Sequence, residues 1–436
     1  MSELYAYQQQ LRDDLDRAWA RGCRHPLVQL PTGGGKTVFS ADVIRATVKA
    51  NRRVGVLMHR NELVDQWARA LSSAGIGRRD IGALVAGRVV LSALPAHLIS
   101  VQTLARRLDD PGIDEPDLLI TDEAHHSAAR QYQQIYRMWP NATRMGLTAT
   151  PARLDGLGLS PTYDTLIEGP TVAALIRWAA ENRHGGLADY KILTIPVMSR
   201  DLPRALGDFR RSATEKASAK PRVMARVASV WREHARNRRT LVFAVSRRHG
   251  RLLTASLVQA GARAEFLDGT AHPIERRNCL DRFRTHAINV LVTVDLLFEG
   301  FDVPEADCAI MARPTESVVV WLQSCGRVLR RKADDRDALI LDCVGNTESL
   351  GGPASPRTWS LAGGIRKVDR VPSDGKTFLG DGRTPPKEIE MELQDVGHGK
   401  AEEKWRETVG QVRASLHNLR HVSPGVRRVL ERIRGI

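Results

Sequence analysis

The chain has 436 residues, more than one ordinary core accommodates, so two domains and an appendage are expected. Hydrophobic residues make up 42% of it, enough for packed cores, which excludes global disorder. Lys and Arg number 65 against 50 Asp and Glu; a formal net charge of +15 favours a polyanionic partner, most often nucleic acid, over a merely basic surface.

The five cysteines, Cys23, Cys279, Cys308, Cys325 and Cys343, are scattered and form no C-x-x-C pair. That argues against a zinc ribbon or a disulfide framework and fits a reducing cytoplasm. The N-terminal stretch lacks the apolar core of a signal peptide, and no apolar run approaches the roughly 20 residues of a membrane span. A cytoplasmic protein without a membrane partner is expected.

In chain order, "HPLVQL", "RVGVLMH", "LIS" and "DLLITDE" read as buried parallel strands, each followed by a helix-length segment, up to about residue 150. This is the βαβ rhythm of an open α/β sheet. The next stretch, "TPARLDGLGLSPTYDTLIEGP", is rich in Gly, Pro and Thr and reads as a loop-dominated crossing. From Tyr190 a second series follows: "YKILTIPV", "RTLVFAV", "AEFLDG", "INVLVTVD", "CAIMA" and "ALILDCV". Two α/β lobes of similar size are expected. Beyond Gly345 the chain carries Gly, Pro and Ser with little periodicity and reads as an irregular extension. It ends in a one-sided helical stripe, Trp405, Val409, Val412, Leu416 and Leu419, and a basic tail with Arg427, Arg428, Arg432 and Arg434.

"LVQLPTGGGKTVFSADVI" (27–44) is a strand, a glycine turn and a helix. Consecutive glycines let backbone N–H groups converge on phosphate oxygens, and the helix presents its positive end to them. Lys36 is placed to reach the β- and γ-phosphates of a nucleotide, and the Thr37 hydroxyl to ligate Mg²⁺. The general pattern G-x-x-x-x-G-K-[ST] would have Gly where this chain has Leu30.

"LLITDEAHHSAA" sets Asp122 and Glu123 almost beside His125 and His126. Such a cluster could hold a transition metal, act as a general acid/base pair, or form the magnesium and water end of a nucleotide site. The upstream phosphate loop favours the last reading. Asp122, at the carboxyl end of an apolar strand, would hold Mg²⁺. Glu123 would orient and polarise the water that attacks the γ-phosphorus. His126 has no separate role.

Taken together these stretches resemble the superfamily-2 DEAD/DEAH-box helicases. "PTGGGKT" looks like motif I, "DEAH" like motif II and "LTAT" (147–150) like motif III. "MHRNELVDQW" (58–67) and "SVQTLARR" (100–107) resemble the first lobe's nucleic-acid motifs. "LVFAVSRRHG", "TVDLLFEGFDVPEAD" and "QSCGRVLR" resemble motifs IV, V and VI, and "YAYQQQL" a Q-type motif. The wording is most similar to RadD-like and type III restriction-subunit-like helicases of bacteria and phages. No P-D…(D/E)-x-K nuclease pattern stands out, which disfavours a stand-alone restriction enzyme.

The resemblance implies two tandem RecA-like, doubly wound parallel-sheet domains with a C-terminal extension. The expected partition is an ATP-binding domain over 1–165, a connection over 166–188, a second RecA-like domain over 189–347 and an extension over 348–436. ATP would lie between the lobes with Mg²⁺ on Thr37 and Asp122. The implied catalytic set is Lys36, Asp122, Glu123, His125, Gln323, Arg327 and Arg330, the two arginines lying on one helix face. Nucleotide contacts would come from Gln8, Thr32, Gly33, Gly34, Gly35, Lys36, Thr37, Gly300 and Asp302, with Gln8 reading adenine. Nucleic-acid contacts would come from Arg60, Gln102, Thr103, Arg106, Ser246, Arg247 and Thr293. The expected function is an ATP-dependent DNA helicase or translocase serving repair, recombination or phage replication. The alternatives are an RNA helicase or a catalytically silent DNA-binding scaffold. The helical stripe is expected to pack on the body or on another helix, and the basic tail is a solvated helix face or a candidate segment for nucleic-acid affinity or a protein partner.

Overall fold

The computed structural model describes residues 3–61, 63–85, 93–153, 157–182, 184–205, 208–294, 303–363 and 377–379. Gly300, Asp302, the helical stripe at 402–423 and the basic tail lie outside these residues.

The first lobe is a seven-stranded sheet. Its strands are β1 (Pro26–Gln29), β2 (Val54–Met58), β3 (Ile81–Leu84), β4 (Ala96–Ser100), β5 (Leu118–Thr121), β6 (Thr143–Thr148) and β7 (Thr165–Glu168). They run in the order β3-β4-β2-β5-β6-β1-β7, and all pairs are parallel. Short apolar runs such as "VGVLM" form these strands because both faces are covered. Val56 packs into one core and its neighbour Leu57 into the other, as the two-residue period of a strand requires. The covering helices are α1 (Ala6–Ala20), α2 (Lys36–Lys49), α3 (Leu63–Ser73), α4 (Val101–Leu104) and α5 (Arg130–Met138). α3 buries Leu63, Val64, Trp67 and Leu71 along one stripe.

The crossing between lobes is more ordered than its composition suggests. It contributes β7, which pairs with β1, so the first sheet extends past residue 165 to Glu168. It then forms α6 (Val172–Asn182). β7 is an edge strand with a single buried residue, too little apolar patterning to show in the sequence.

The second lobe opens with β8 (Tyr190–Thr194) and a small antiparallel pair, β9 (Arg204–Ala205) and β10 (Asp208–Phe209). Helices α7 (Arg211–Ser218) and α8 (Pro221–His234) precede β11 (Thr240–Phe243). Then come α9 (Arg247–Gln259), β12 (Ala264–Asp268), α10 (Pro273–Arg284), β13 (Val290–Val294), β14 (Cys308–Met311), α11 (Val318–Gly326), β15 (Ala338–Asp342), α12 (Asn346–Leu350) and β16 (Thr377–Leu379). The sheet order is β12-β13-β11-β14-β15-β8-β16, again parallel.

The expectation of an irregular extension after residue 347 needs correction for its first part. α12 completes the lobe, and β16 adds a strand beside β8. Residues 351–363 form a strap back to the first lobe. The Arg357 guanidinium donates to the carbonyls of Leu350, Gly352, Pro353 and Ser355 at 2.7–3.2 Å, which fixes the turn. The Leu361 carbonyl accepts the N–H groups of Leu159 and Ser160 at 2.8 and 2.9 Å, and Gly363 bridges Leu157. Leu361 packs against the small buried cluster formed by Leu27, Ala124, Leu159 and Tyr163. Among the described residues no helix is long and apolar enough to cross a membrane.

Candidate functional site

Between the lobes lies a cleft of ≈230 Å³. It is lined by Thr32, Gly33, Gly35, Lys36, Thr37, Val38, Leu63, Gln66, Asp122, Glu123, Arg327 and Arg330. The parallel order puts the loop after β1 and the turn after β5 at the carboxyl ends of their strands, one strand apart, so both open on one crevice. Gly33 and Gly35 take positive φ, +86° and +89°, which turns the loop tightly into the N-terminus of α2.

Lys36 Nζ donates to the Leu30 carbonyl at 3.4 Å, within the turn itself. Burial lowers its pKa; Glu123 and Asp122 oppose that, and Arg327 and Arg330 reinforce it. Asp122 Oδ2 accepts the Trp67 indole N–H at 3.1 Å, and Oδ1 accepts the Glu123 N–H at 2.9 Å. Burial and then the charge of Glu123 push Asp122 up to about 6. Glu123 sits in the left-handed region at φ 49°, uncommon for a non-glycine residue. Its Oε2 is buried without a hydrogen-bond partner among the described residues, 3.5 Å from His125 Nδ1. His125 is itself buried and lies 3.2 Å from the Thr148 hydroxyl, behind the cleft rather than in it.

The two arginines arrive differently from expectation. α11 ends at Gly326, so they do not share a helix face. Arg327 is the C-cap residue, and Arg330 lies in an isolated bridge to Leu187. Both still line the cleft. Gln323 lies on α11, outside that lining, with a buried Nε2 that has no hydrogen-bond partner among the described residues. Gln8 is also outside the lining: its Oε1 accepts the Tyr5 N–H at 3.0 Å, and its Nε2 faces the Gly34 and Gly35 carbonyls at 3.4 Å. In this geometry its amide is engaged by the loop backbone rather than presented to a base. Gly34 is buried beside the loop turn.

A second, basic cleft of ≈480 Å³ also spans the lobes. Arg60, Arg211, Arg247 and Arg248 line it with Glu215, Ser246, Asp268, Gly269 and Val294. Arg247 Nε lies 3.3 Å from Asp268 Oδ2, and the Ser246 hydroxyl caps α9 by accepting the His249 N–H at 3.1 Å. The structure thus brings the expected Arg60, Ser246 and Arg247 together. It adds Arg211, on a helix outside every motif, and Arg248. Gln102, Thr103 and Arg106 lie on or beside α4; Gln102 Nε2 reaches the His59 carbonyl at 3.5 Å. Thr293 does not fit its expectation. It is 1% exposed inside β13, and the following Val294 lines the cleft instead.

Among the described residues no group of three or more His, Cys, Asp and Glu side chains is placed to hold a metal ion. An oxygen-only pair, Thr37 and Asp122, does suit a hard cation that keeps several waters.

Two parallel-sheet lobes, with a phosphate loop on one and arginines on the other lining a single cleft, are the arrangement of a two-lobed nucleotide-binding protein. Residues 1–153 match the family described as Type III restriction enzyme, res subunit, and residues 219–332 match the Helicase conserved C-terminal domain. A "51.5 kDa protein" of a Lactococcus phage is 31% identical over 344 residues, which cover 78% of this chain and 71% of that protein. The "DNA 3'-5' translocase XPB2" of Sulfurisphaera tokodaii is 26% identical over 372 residues, 75% of this chain and 79% of its own. The chain spans 56% and 57% of the length of two yeast relatives. Among solved structures, an HsdR fragment of a type I restriction enzyme from Vibrio vulnificus has a TM-score of 0.61 at 20% identity, covering 80% of this chain and 65% of its own. The chain belongs to the superfamily-2 helicases of restriction-subunit-like type. Its two matched domains are those of ATP-dependent helicases.

Proposed function

We propose that the chain is a DNA-stimulated ATPase that moves along or unwinds DNA, with ATP hydrolysed in the 230 Å³ cleft. The observation that carries the reading is the convergence of Lys36, Thr37, Asp122 and Glu123 from one lobe with Arg327 and Arg330 from the other. Lys36 and the glycine-loop N–H groups would bind the phosphates. Thr37 and Asp122 would hold Mg²⁺, which supplies neutralising charge on the phosphate oxygens when bound. Glu123, with a buried oxygen open to a new partner, would orient the attacking water and accept its proton. Arg327 and Arg330 would stabilise charge on the transferring phosphoryl group, worth about 10³–10⁵ in rate. Because they belong to the second lobe, hydrolysis requires closure, and closure links chemistry to movement. His125 would connect Glu123 to Thr148, and Gln8 would hold the loop rather than read the base. We infer two RecA-like lobes and an extension, with the first lobe reaching Glu168 rather than stopping at residue 165.

The 480 Å³ cleft would take the sugar-phosphate backbone, giving weak sequence preference and strong salt dependence. DNA is preferred to RNA on the translocase name of the archaeal relative. The test is ATP hydrolysis by the full chain alone and with single-stranded DNA, duplex DNA or RNA at two salt concentrations. DNA stimulation that weakens with salt supports the reading. Stimulation by RNA alone replaces DNA with RNA, and no hydrolysis under any condition overturns the motor assignment.

A further inference from the structure

His126 has no part in the assignments above, yet its position is specific. β2 and β5 are parallel neighbours with Leu57 opposite Thr121, so the chain leaves both strand ends side by side. After β2 come His59 and Arg60. After β5, Asp122 and the left-handed Glu123 fold the chain into a single 3-10 turn, Ala124–His126. That turn lays the His126 ring on His59, with centroids 5.0 Å apart and planes 23° from parallel. His126 also meets His125, with centroids 4.2 Å apart and planes tilted by 43°. Three imidazoles are therefore in contact in succession, from His59 to His126 to His125.

The two ends of this succession are different places. His125 Nδ1 is 3.5 Å from Glu123 Oε2 and 3.2 Å from Thr148 Oγ1, against the ATP cleft. The His59 carbonyl accepts from Gln102 Nε2 at 3.5 Å, and the next residue, Arg60, lines the basic cleft. Flat rings in a packed stack pass on a shift of one neighbour as a shift of the next, because the interior cannot deform continuously.

We propose that His126 and His59 are positioning residues that couple occupancy of the basic cleft to the orientation of Glu123. The inference rests on the reading of the two clefts given above. A strand engaging Arg60 would move the end of β2; the His59–His126 contact would carry that shift to the DEAH turn, where Glu123 is held in an uncommon backbone conformation. Coupling of this kind is a difference in free energy between two arrangements, so losing the stack loses the stimulation and leaves the unstimulated rate.

The experiment compares ATP hydrolysis with and without single-stranded DNA or RNA for wild type, His126→Ala, His126→Phe and His59→Ala, with strand affinity and thermal midpoint measured on each. The expected result is an unstimulated rate and strand affinity close to wild type in His126→Ala. Its stimulation falls at least about fivefold, the low end of typical coupling factors. His126→Phe, which keeps a flat ring, retains most of the stimulation. His59→Ala matches His126→Ala and answers the question should the latter not fold. Full stimulation in folded His126→Ala or His59→Ala overturns the coupling. Proportional loss of stimulated and unstimulated rates overturns it in favour of a structural role. Failure of His126→Phe with an intact basal rate overturns the stack as the cause. A wild type that no polymer stimulates removes the underlying reading instead.

Discussion

Gly326 offers a direct test of lobe closure. It ends α11, one residue before Arg327, where the second lobe meets the phosphate loop. A Cβ built there lies 2.6 Å from Thr32 Cβ and 3.0 Å from Thr32 Cγ2. Carbon atoms prefer about 3.5–4.0 Å, so Gly326→Ala must open this contact by roughly 1 Å. A displacement of that size at a reacting centre costs on the order of 10²-fold in rate. Gly326 is the last residue of α11, so Ala there gains less than the about 1 kcal/mol of a helix interior. The expected variant is folded, able to bind ATP on the first lobe, and slowed by about 10² in kcat. Steady-state hydrolysis beside equilibrium binding of a fluorescent ATP analogue reads all of this. Wild-type kcat in Gly326→Ala would refute the argument that the arginines act only when Thr32 and Gly326 touch.

Lys36→Ala and Glu123→Gln should each abolish turnover, while Glu123→Gln still binds ATP; normal turnover in either variant removes that assignment. Arg211→Ala should weaken nucleic-acid binding evenly across sequences and reduce the slope of log K against log salt by about 1, as loss of one phosphate contact does. An unchanged slope would place Arg211 outside the interface. His249 is buried, and burial holds its pKa down at about 4 against an ordinary value near 6.5. The folded state thus favours the neutral ring. Its contribution is complete above pH 6.5 and is lost as the pH falls toward 4, by about 2 kcal/mol at pH 5. Urea unfolding of His249→Gln should show a shallower loss over that window; an equal slope in both proteins contradicts the assignment.

The apolar runs in the sequence located β1, β2, β4 and β5, and the six principal strands of the second lobe. What they missed has physical causes. β3 and β7 lie at the edges of the first sheet and β16 at the edge of the second; the first two alternate or expose most of their residues. β6 is central yet reads weakly, because it begins with half-exposed Thr143 and Arg144 and carries Gly146. That glycine is imposed by packing: a Cβ there would lie 2.6 Å from Leu27 and Tyr163. The nucleotide cleft was legible because its chemistry needs particular residue types at short spacings. The basic cleft was legible only in part, since Arg211 comes from a helix with no recurring pattern, and Thr293 is buried inside β13.

The strap after α12 changes how the second lobe can swing. The lobes are joined covalently through residues 169–188 and again, by hydrogen bonds and the Leu361 contact, through residues 351–363. A body tethered at one point can tumble about it, whereas a body pinned at two separated points turns about the line between them. Two separated tethers restrict any rotation of one lobe against the other to the line that joins them, and one of them, at Leu361, rests on the cluster that holds Ala124 of the DEAH turn.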